Sequence, residues 1–232
     1  MPKRLAIVPA RGGSKRIKNK NIRDFCGTPM ITHILKTAGD SKLFSKIHVS
    51  TEDEAIRAVV AKHGFDPEFA RPKSLSDDYT PIMPVLRFTT EEYQRLGEHF
   101  DEVWCLMACA PLINSGDLVA AADLYKKNLG KRQLLAVSEF PVPIEWAFTR
   151  SQIGILNPVQ PGQFAVRSQD LEPHYFDAAA FSIFPPSQIF ESIGSGSDEN
   201  FVGYILPKSR ALDIDNEDDW LLAENLYRAR NS

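Results

Sequence analysis

Short apolar runs alternate with longer stretches of helical spacing along this sequence, and this order limits the chain to few folds. Residues 5–10 (LAIVPA) form a nearly unbroken apolar run before a glycine pair, which is typical of a strand buried on both faces of a parallel sheet. Residues 46–50 (KIHVS) and 102–107 (EVWCLM) are further strand candidates. Since parallel strands need crossover connections, the order predicts a doubly wound, mostly parallel α/β sheet.

Helical spacing of apolar residues fills the intervals between these runs. Helices are predicted at residues 29–38, 52–63, 81–96, 116–128 and 217–230. In the second of them, acidic residues occupy the predicted first turn, where the helix dipole favours negative charge. Two more apolar runs, at residues 201–206 and 211–214, continue the alternation before the closing helix.

The alternation fails from about residue 139 to residue 186. Seven prolines interrupt short apolar pieces here, at positions 141, 143, 158, 161, 173, 185 and 186. Because proline cannot donate to a ladder or continue a helix, this segment is predicted to leave the main sheet as a small β-rich arm. No internal repeat is present, and residues 1–232 are predicted to form one domain.

Charge and composition exclude several classes of partner. The net charge is −3 and the sequence pI is about 6.0, so no global basic field is available to bind nucleic acid or an anionic membrane. Only about six apolar residues follow the first charged ones, too few for a signal peptide or a membrane span. The three cysteines include no CxxC pair. We therefore expect a cytoplasmic protein with reduced thiols.

The loop after the first predicted strand carries a dense positive charge. Its sequence, RGGSKRIKNKN at residues 11–21, places Lys15, Arg16 and Lys20 beside a glycine pair that lets the backbone approach an anion. A solvated surface run is the alternative, but the position after a buried strand favours a phosphate site. The loop matches neither GxGxxG nor GxxxxGK[ST], so neither a dinucleotide dehydrogenase nor an ordinary NTPase follows from it.

The segment DIDNEDD, at residues 213–219, is the candidate metal site. Asp213 and Asp215 flank Ile214, so on an extended backbone their carboxylates project the same way and can share a hard cation such as Mg²⁺. The alternative is that the acidic residues cap the closing helix. We expect residues 216–219 to do so, leaving Asp213 and Asp215 for the metal.

Two polar loops are candidates for substrate recognition. RPKSLSDDYT, at residues 71–80, can recognise a base or ribose, and RSQDLEPHY, at residues 167–175, contains Arg167, which can pair with a substrate carboxylate. For each, an ordinary surface loop is the alternative. The five histidines show no spacing that indicates a metal site or a Ser/His/Asp triad.

Together these motifs resemble the CMP-sialic acid synthetase (acylneuraminate cytidylyltransferase) family. IVPARGGSKRIKNKNI is similar to its N-terminal signature, RPKSLSDDYT to its base-recognition loop and ALDIDNEDDW to its metal-binding segment. The resemblance covers residues 5–227 and is strongest to the pseudaminic acid cytidylyltransferase branch, through DFCGTPMI, ACAPLI and RSQDLEPHYFDA. Two stretches depart from that branch, PIEWAF at residues 143–148 and YFDAAAFS at residues 175–182.

The resemblance implies a Rossmann-like fold, a homodimer joined through the arm, and transfer of the cytidylyl group from CTP to a nonulosonic acid with Mg²⁺ as cofactor. Catalytic residues would be Arg11, Lys20, Asp213 and Asp215, the two aspartates being the metal ligands. Nucleotide-binding residues would be Arg11, Gly12, Gly13, Ser14, Lys15, Arg16, Lys20, Asn21, Arg71, Ser76 and Asp77. Sugar-binding residues would be Arg167, Gln169 and Glu172. Lys18 and Arg23 are left to solvent.

The acceptor implied by the nearest branch is pseudaminic acid. Alternatives with the same chemistry are legionaminic, N-acetylneuraminic and 3-deoxy-octulosonic acid. A nucleotidyltransferase that uses UTP or GTP on a sugar phosphate is another alternative, since glycine-rich basic loops recur there. A non-catalytic nucleotide-binding regulatory module ranks lowest, because it predicts the loss of the Asp213 and Asp215 pair, which is present.

Overall fold

The computed structural model describes residues 2–231, which form a mixed sheet with helices on both faces. The strands are β1 (Arg4–Pro9), β2 (Asp24–Phe25), β3 (Thr28–Pro29), β4 (Lys46–Ser50), β5 (Glu102–Leu106), β6 (Leu134–Glu139), β7 (Phe148–Arg150), β8 (Leu156–Pro158), β9 (Tyr175–Phe184) and β10 (Val202–Ile205). The α-helices are α1 (Met30–Ser41), α2 (Glu54–Lys62), α3 (Ile82–Arg95), α4 (Ser115–Lys127), α5 (Pro186–Glu191) and α6 (Glu217–Asn231).

The main sheet has the strand order β10-β6-β9-β5-β1-β4. Strand β1 pairs in parallel with β4 and β5, and β10 pairs in parallel with β6. Strand β9 is antiparallel to both of its neighbours, β5 and β6. The predicted Rossmann-like, mostly parallel α/β fold is therefore confirmed. No helix among residues 2–231 is both long and apolar enough to cross a membrane.

Strand β1 shows why residues 5–9 are all apolar. Ala6 and Val8 belong to the cluster that packs under α1, α2 and α4, whereas Leu5 and Ile7 belong to the cluster under α3 and α5. All four side chains are fully buried. A strand covered on both faces has no solvent face, so alternation of polar and apolar residues is absent.

A third apolar cluster joins the two ends of the chain. It contains Ile17 from the basic loop, Phe25 and Met30, together with Ile214, Trp220 and Ala223 from the C-terminal segment. The Phe25 and Trp220 rings meet edge to face at 5.4 Å between centroids. This packing brings the two sequence motifs of highest charge to the same edge of the sheet.

Three predictions about elements need correction. Residues 211–214 form no strand but an extended segment that leads into α6, with Ile214 buried in the third cluster. Strand β6 was missed, and β9 lies inside the predicted arm at about 139–186, so the excursion ends at residue 174. The reason is that β9 is antiparallel to its neighbours and needs no crossover helix, so the helix spacing that indicated the other strands is absent before it. Strands β7 and β8 form a hairpin within the excursion.

Candidate active site

A cavity of about 160 Å³ opens at the carboxyl end of β1 and β5. Four residues of the loop after β1 line it, namely Arg11, Ser14, Lys20 and Asn21, and Asp213 closes it from the far end of the chain. In open α/β sheets, ligands bind at the carboxyl ends of the strands. The structure thus gathers predicted nucleotide and metal residues around one cavity.

Lys20 and Arg16 connect the basic loop to the acidic segment. The Lys20 ammonium donates to the Ile214 carbonyl at 2.6 Å and lies 3.7 Å from the Asp215 carboxylate. The Arg16 guanidinium donates to the same carboxylate at 2.8 Å, across 199 positions of sequence. Asp215 therefore carries two cationic partners, one of which, Lys20, is largely buried.

Arg11 and Lys15 contact the other polar loop. Both form ion pairs with Asp78, and Arg11 also donates to the Asp77 carbonyl at 3.2 Å. The hydrogen bonds from Lys15 and then Arg11 hold the pKa of the Asp78 carboxyl below its usual range. The carboxylates of Asp78 and Asp215 thus compensate four cations that a phosphate chain can also pair with.

Asp213 is the carboxylate whose surroundings fit a metal ion. Loss of hydration and then the nearby Asp215 carboxylate raise the pKa of Asp213. Within residues 2–231 its carboxylate has no hydrogen bond or ion pair, although Lys20 and Arg16 are close enough to moderate its pKa. Adjacent carboxylates, one of them unpaired, suit a hard divalent cation. No cluster of three or more His, Cys, Asp or Glu side chains suited to a metal ion occurs in the same part of the chain, so substrate oxygens or water would complete the coordination.

The segment after Asp215 caps α6, as expected. The Asn216 side chain accepts from the Asp219 backbone at 3.0 Å, and the Asp219 carboxylate accepts from the Asp215 and Asn216 backbones, each at 3.0 Å. Glu217 instead pairs with Arg23 at 2.6 Å. The Arg23 guanidinium also lies 4.5 Å from the centre of the Trp220 ring. The prediction that Arg23 faces only solvent is therefore wrong, whereas Lys18 is exposed.

Polar side chains of the loop at residues 71–80 form hydrogen bonds within that loop. The Asp77 carboxylate accepts from the backbones of Tyr79 and Thr80 and from the Thr80 hydroxyl, at 2.6–2.9 Å, which closes a turn. The Ser76 hydroxyl donates to the Pro72 carbonyl at 3.0 Å. The Arg71 side chain is only 5% exposed. Contacts of these residues with a base stay predictions.

A second cavity, of about 350 Å³, lies at the same edge of the sheet. Gln169 and Glu172 line it, with Glu139 from the end of β6 and His174 from just before β9. Arg167 does not line it, because its guanidinium forms a bidentate pair with Asp170 at 2.8 and 3.2 Å. Of the three predicted sugar-binding residues, the structure brings two together.

The first cavity also includes residues that the sequence did not mark as functional. Met107, Ala108 and Cys109 follow β5, and Ala179 lies in β9 with a left-handed φ of 48°. The Cys109 thiol donates to the Asn21 side-chain oxygen at 3.4 Å, while burial raises the pKa of Cys109 to about 11. Their position could have been inferred from the sequence, because MACAP at residues 107–111 directly follows a predicted strand, where ligands bind in such sheets.

A known protein family and several named proteins are similar in sequence to this chain. The family model described as "Cytidylyltransferase" matches residues 5–141. The pseudaminic acid cytidylyltransferase of Campylobacter jejuni subsp. jejuni serotype O:2 is 36% identical over 235 residues, covering 99% of this chain and 98% of that protein. The CMP-N,N'-diacetyllegionaminic acid synthase of Legionella pneumophila is 29% identical, covering 96% and 95%. These matches confirm the resemblance indicated by the motifs.

Solved structures support the fold. A CMP:2-keto-3-deoxy-manno-octonic acid synthetase complexed with CTP superposes with a TM-score of 0.71 at 14% identity, covering 98% of this chain and 99% of that one. The 4-diphosphocytidyl-2C-methyl-D-erythritol synthase of Anaerococcus prevotii superposes with a TM-score of 0.63 at 12% identity, covering 98% and 96%. At these identities the likeness shows a shared α/β fold.

Proposed function

Because this chain belongs to the cytidylyltransferase family, we propose that it activates a nonulosonic acid with CTP and that the acid is pseudaminic acid. The relatives with that name match this chain over nearly its whole length. The observation that carries the proposal is the meeting of the basic loop with Asp213 and Asp215 at the carboxyl edge of the sheet. A triphosphate needs that concentration of cations, and its departing pyrophosphate needs compensation of charge.

In the proposed reaction, the anomeric hydroxyl oxygen of the acid sugar forms a bond to the α-phosphorus of CTP. The bond from that phosphorus to the bridging oxygen breaks, pyrophosphate leaves, and the hydroxyl proton passes to solvent. Arg11, Ser14 and Lys20 line the cavity where the triphosphate would lie, and Lys15 and Arg16 would add charge at its rim. Fixed cations around the transferring group stabilise the charge that builds up there.

Magnesium is part of the proposal. Asp213 and Asp215 would hold Mg²⁺, which would supply neutralisation of the phosphate charge when bound. The Asp215 carboxylate is paired with Arg16 and Lys20. We propose that the phosphates take over these two cations, which frees the Asp215 carboxylate for the metal. The same exchange applies to Arg11 and Lys15, which Asp78 holds.

CTP is proposed to bind to two loops at the carboxyl edge of the sheet, and the acid sugar to the second cavity. Gly12, Gly13 and Asn21 belong to the phosphate loop, and Arg71, Ser76 and Asp77 to the loop proposed for cytidine. The acceptor is proposed to occupy the second cavity, where Gln169 and Glu172 lie beside His174. Arg167 would reach a substrate carboxylate only after release from Asp170.

A homodimer is also proposed, supported by the surface of the excursion between β6 and β9. Its apolar side chains remain exposed in the single chain, including Ile153 at 83%, Leu156 at 56% and Phe164 at 64%. Apolar patches of this kind mark association surfaces. We place the reaction in the cytoplasm, where CTP is available.

The test is release of pyrophosphate by the full chain with Mg²⁺. CTP, UTP, GTP and ATP are each combined with pseudaminic, legionaminic, N-acetylneuraminic and 3-deoxy-octulosonic acid. We expect release with CTP and pseudaminic acid, and slower release with the other acids. Faster turnover of another acid would reassign the acceptor, and a preference for UTP or GTP would contradict cytidylyl transfer. A chain that binds CTP but releases no pyrophosphate with any acid would favour a regulatory module.

A further inference from the structure

The turn between β4 and α2 holds a partly buried carboxylate, Glu52, that the reaction as described does not use. One oxygen of Glu52 accepts from the Gly12 backbone N–H at 2.9 Å. The other accepts from the Arg71 guanidinium at 2.8 Å. The side chains of Glu52 and Arg71 are 16% and 5% exposed. A single side chain therefore joins the loop proposed for the triphosphate to the loop proposed for cytidine.

The charge state of Glu52 suits this bridging position. Burial acts to raise the pKa of Glu52, but the hydrogen bonds from Arg71 and from Gly12 outweigh it, and the pKa lies below its usual value. Glu52 is thus ionised at neutral pH and gives two charge-assisted hydrogen bonds, which are stronger than neutral ones. A buried Arg71 without this partner would be an uncompensated charge.

The residues on either side of Glu52 hold the same two loops. The Thr51 carbonyl accepts from the Arg71 backbone at 2.9 Å. On the other side, a Cβ placed on Gly12 would lie 1.9 Å from a carboxylate oxygen of Asp53. Asp53 itself caps α2 through the Ala55 and Ile56 backbones, at 2.7 and 3.1 Å, so it cannot retreat without uncapping the helix.

This local structure corrects the sequence interpretation of Glu52. The sequence placed it in the first turn of a helix at residues 52–63, where a negative charge would interact with the helix dipole. Helix α2 instead begins at Glu54 with Asp53 as its cap, and Glu52 precedes both. Its carboxylate is directed to Gly12 and Arg71 and is not left to the helix end.

We infer that Glu52 is a positioning residue that couples binding of the triphosphate to binding of cytidine. Its two hydrogen bonds fix the position of the Gly12 backbone relative to the Arg71 side chain. The triphosphate loop and the cytidine loop are therefore held at a fixed separation before CTP binds. The inference rests on the proposed function, because it takes the two loops as the two halves of a CTP site. Preorganisation of this kind reduces the ordering required when the ligand binds.

The test compares Glu52→Gln with a matched control, Glu102→Gln. Glu102 likewise pairs with a buried arginine, since it accepts from Arg4 at 2.7 Å. It lies at the start of β5, at the opposite edge of the sheet from the cavity. Both substitutions keep side-chain size and leave one buried arginine without an ionised partner, so a purely structural penalty is expected in both.

We expect Glu52→Gln to raise KM for CTP about tenfold with a smaller change in kcat, as loss of charge-assisted bonds to binding loops predicts. Glu102→Gln is expected to retain the wild-type KM even where it lowers the melting temperature equally. The inference is overturned if the two folded variants show the same KM for CTP, or if Glu52→Gln lowers kcat alone.

A binding measurement keeps the inference testable if Glu52→Gln does not fold. Calorimetry with Mg²⁺ gives dissociation constants for inorganic tripolyphosphate and for CTP. The dissociation constant of tripolyphosphate divided by that of CTP measures how much the nucleoside strengthens binding. The variant Gly12→Ala leaves the Glu52 and Arg71 pair in place but forces the loop away from Asp53. We expect Gly12→Ala to bind tripolyphosphate more weakly than wild type and to show a smaller ratio of the two dissociation constants. An unchanged ratio would overturn the inference.

These results are separable from failure of the proposed function. If wild-type protein releases no pyrophosphate from CTP with any acid sugar, the function is wrong whatever the variants do. If wild-type protein is active but Glu52→Gln keeps the wild-type KM for CTP, or Gly12→Ala keeps the wild-type ratio of dissociation constants, the function stands and the coupling role of Glu52 is wrong.

Discussion

Lys20 offers a direct test of the basic loop, through replacement by methionine. Its ammonium donates to the Ile214 carbonyl at 2.6 Å and faces Asp215 at 3.7 Å, and its side chain is 20% exposed. Methionine keeps the apolar stem and removes the charge. In the proposed complex, the ammonium would pair with a phosphate oxygen, and its loss would leave that charge in a partly buried place.

The magnitude follows from the kind of bond that is lost. A hydrogen bond to a charged group contributes about 1.5–3 kcal/mol. Since each 1.36 kcal/mol is tenfold in rate, kcat/KM should fall roughly 10- to 150-fold. The effect should shrink as ionic strength rises, because salt screens the wild-type attraction for CTP more than that of the variant.

Steady-state pyrophosphate release at several CTP concentrations measures this effect. Lys18→Met is the matched control, because Lys18 lies in the same loop, is exposed, and makes no hydrogen bond or ion pair among residues 2–231. We expect its kcat/KM to stay within about twofold of wild type, as for most surface substitutions. A Lys20→Met variant with the kinetics of Lys18→Met would refute the assignment of Lys20 to the triphosphate.

Four further perturbations test other parts of the site. Because the pKa of Asp213 is raised, its ionised carboxylate destabilises the folded protein once the pH rises through that pKa. Near neutral pH with chelator, Asp213→Asn should therefore melt at a higher temperature than wild type, and this gain should disappear in acid. The variant should show no turnover with Mg²⁺, and a lower melting temperature would contradict the pKa shift. Asp78→Asn should bind tripolyphosphate more tightly, by a few-fold in low salt, because it frees Arg11 and Lys15; calorimetry that shows weaker binding would give Asp78 a direct role. Trp220→Ala should cost about 3–5 kcal/mol in the free energy of unfolding measured with urea, whereas Trp220→Phe should cost much less, and equal losses would argue against its packing on Phe25. Leu156→Asp should convert the proposed dimer to a monomer in sedimentation experiments, and a monomeric wild-type protein would contradict the dimer.

The ion pairs between the basic loop and two aspartates affect how the nucleotide binds. Each of the four cations Arg11, Lys15, Arg16 and Lys20 has an aspartate partner, either Asp78 or Asp215. These pairs limit repulsion among cations crowded into one loop. They also mean that a phosphate chain must exchange with the aspartates, so its net affinity is smaller than the positive charge of the loop alone indicates.

Much of the fold was predictable because it depends on local patterns. The run at residues 5–10 is apolar throughout because both faces of β1 are covered, and the buried side chains at residues 5–8 all reflect that condition. The helices that cross over between parallel strands show their spacing in the same way. Strand β9 escaped prediction because its direction depends on its neighbours β5 and β6, which are distant in sequence.

The candidate site divides along the same line. Local sequence specifies which residue types are present: a glycine pair with cations after a buried strand, and two aspartates spaced to project together before a helix cap. Tertiary packing determines which of them meet, because Lys20 reaches Asp215 through the packing of Ile17 and Trp220 in one cluster. It also decided that Glu52 serves two loops and that Arg23 covers Trp220. Contacts between distant segments depend on the packing of whole elements, and no local pattern encodes them.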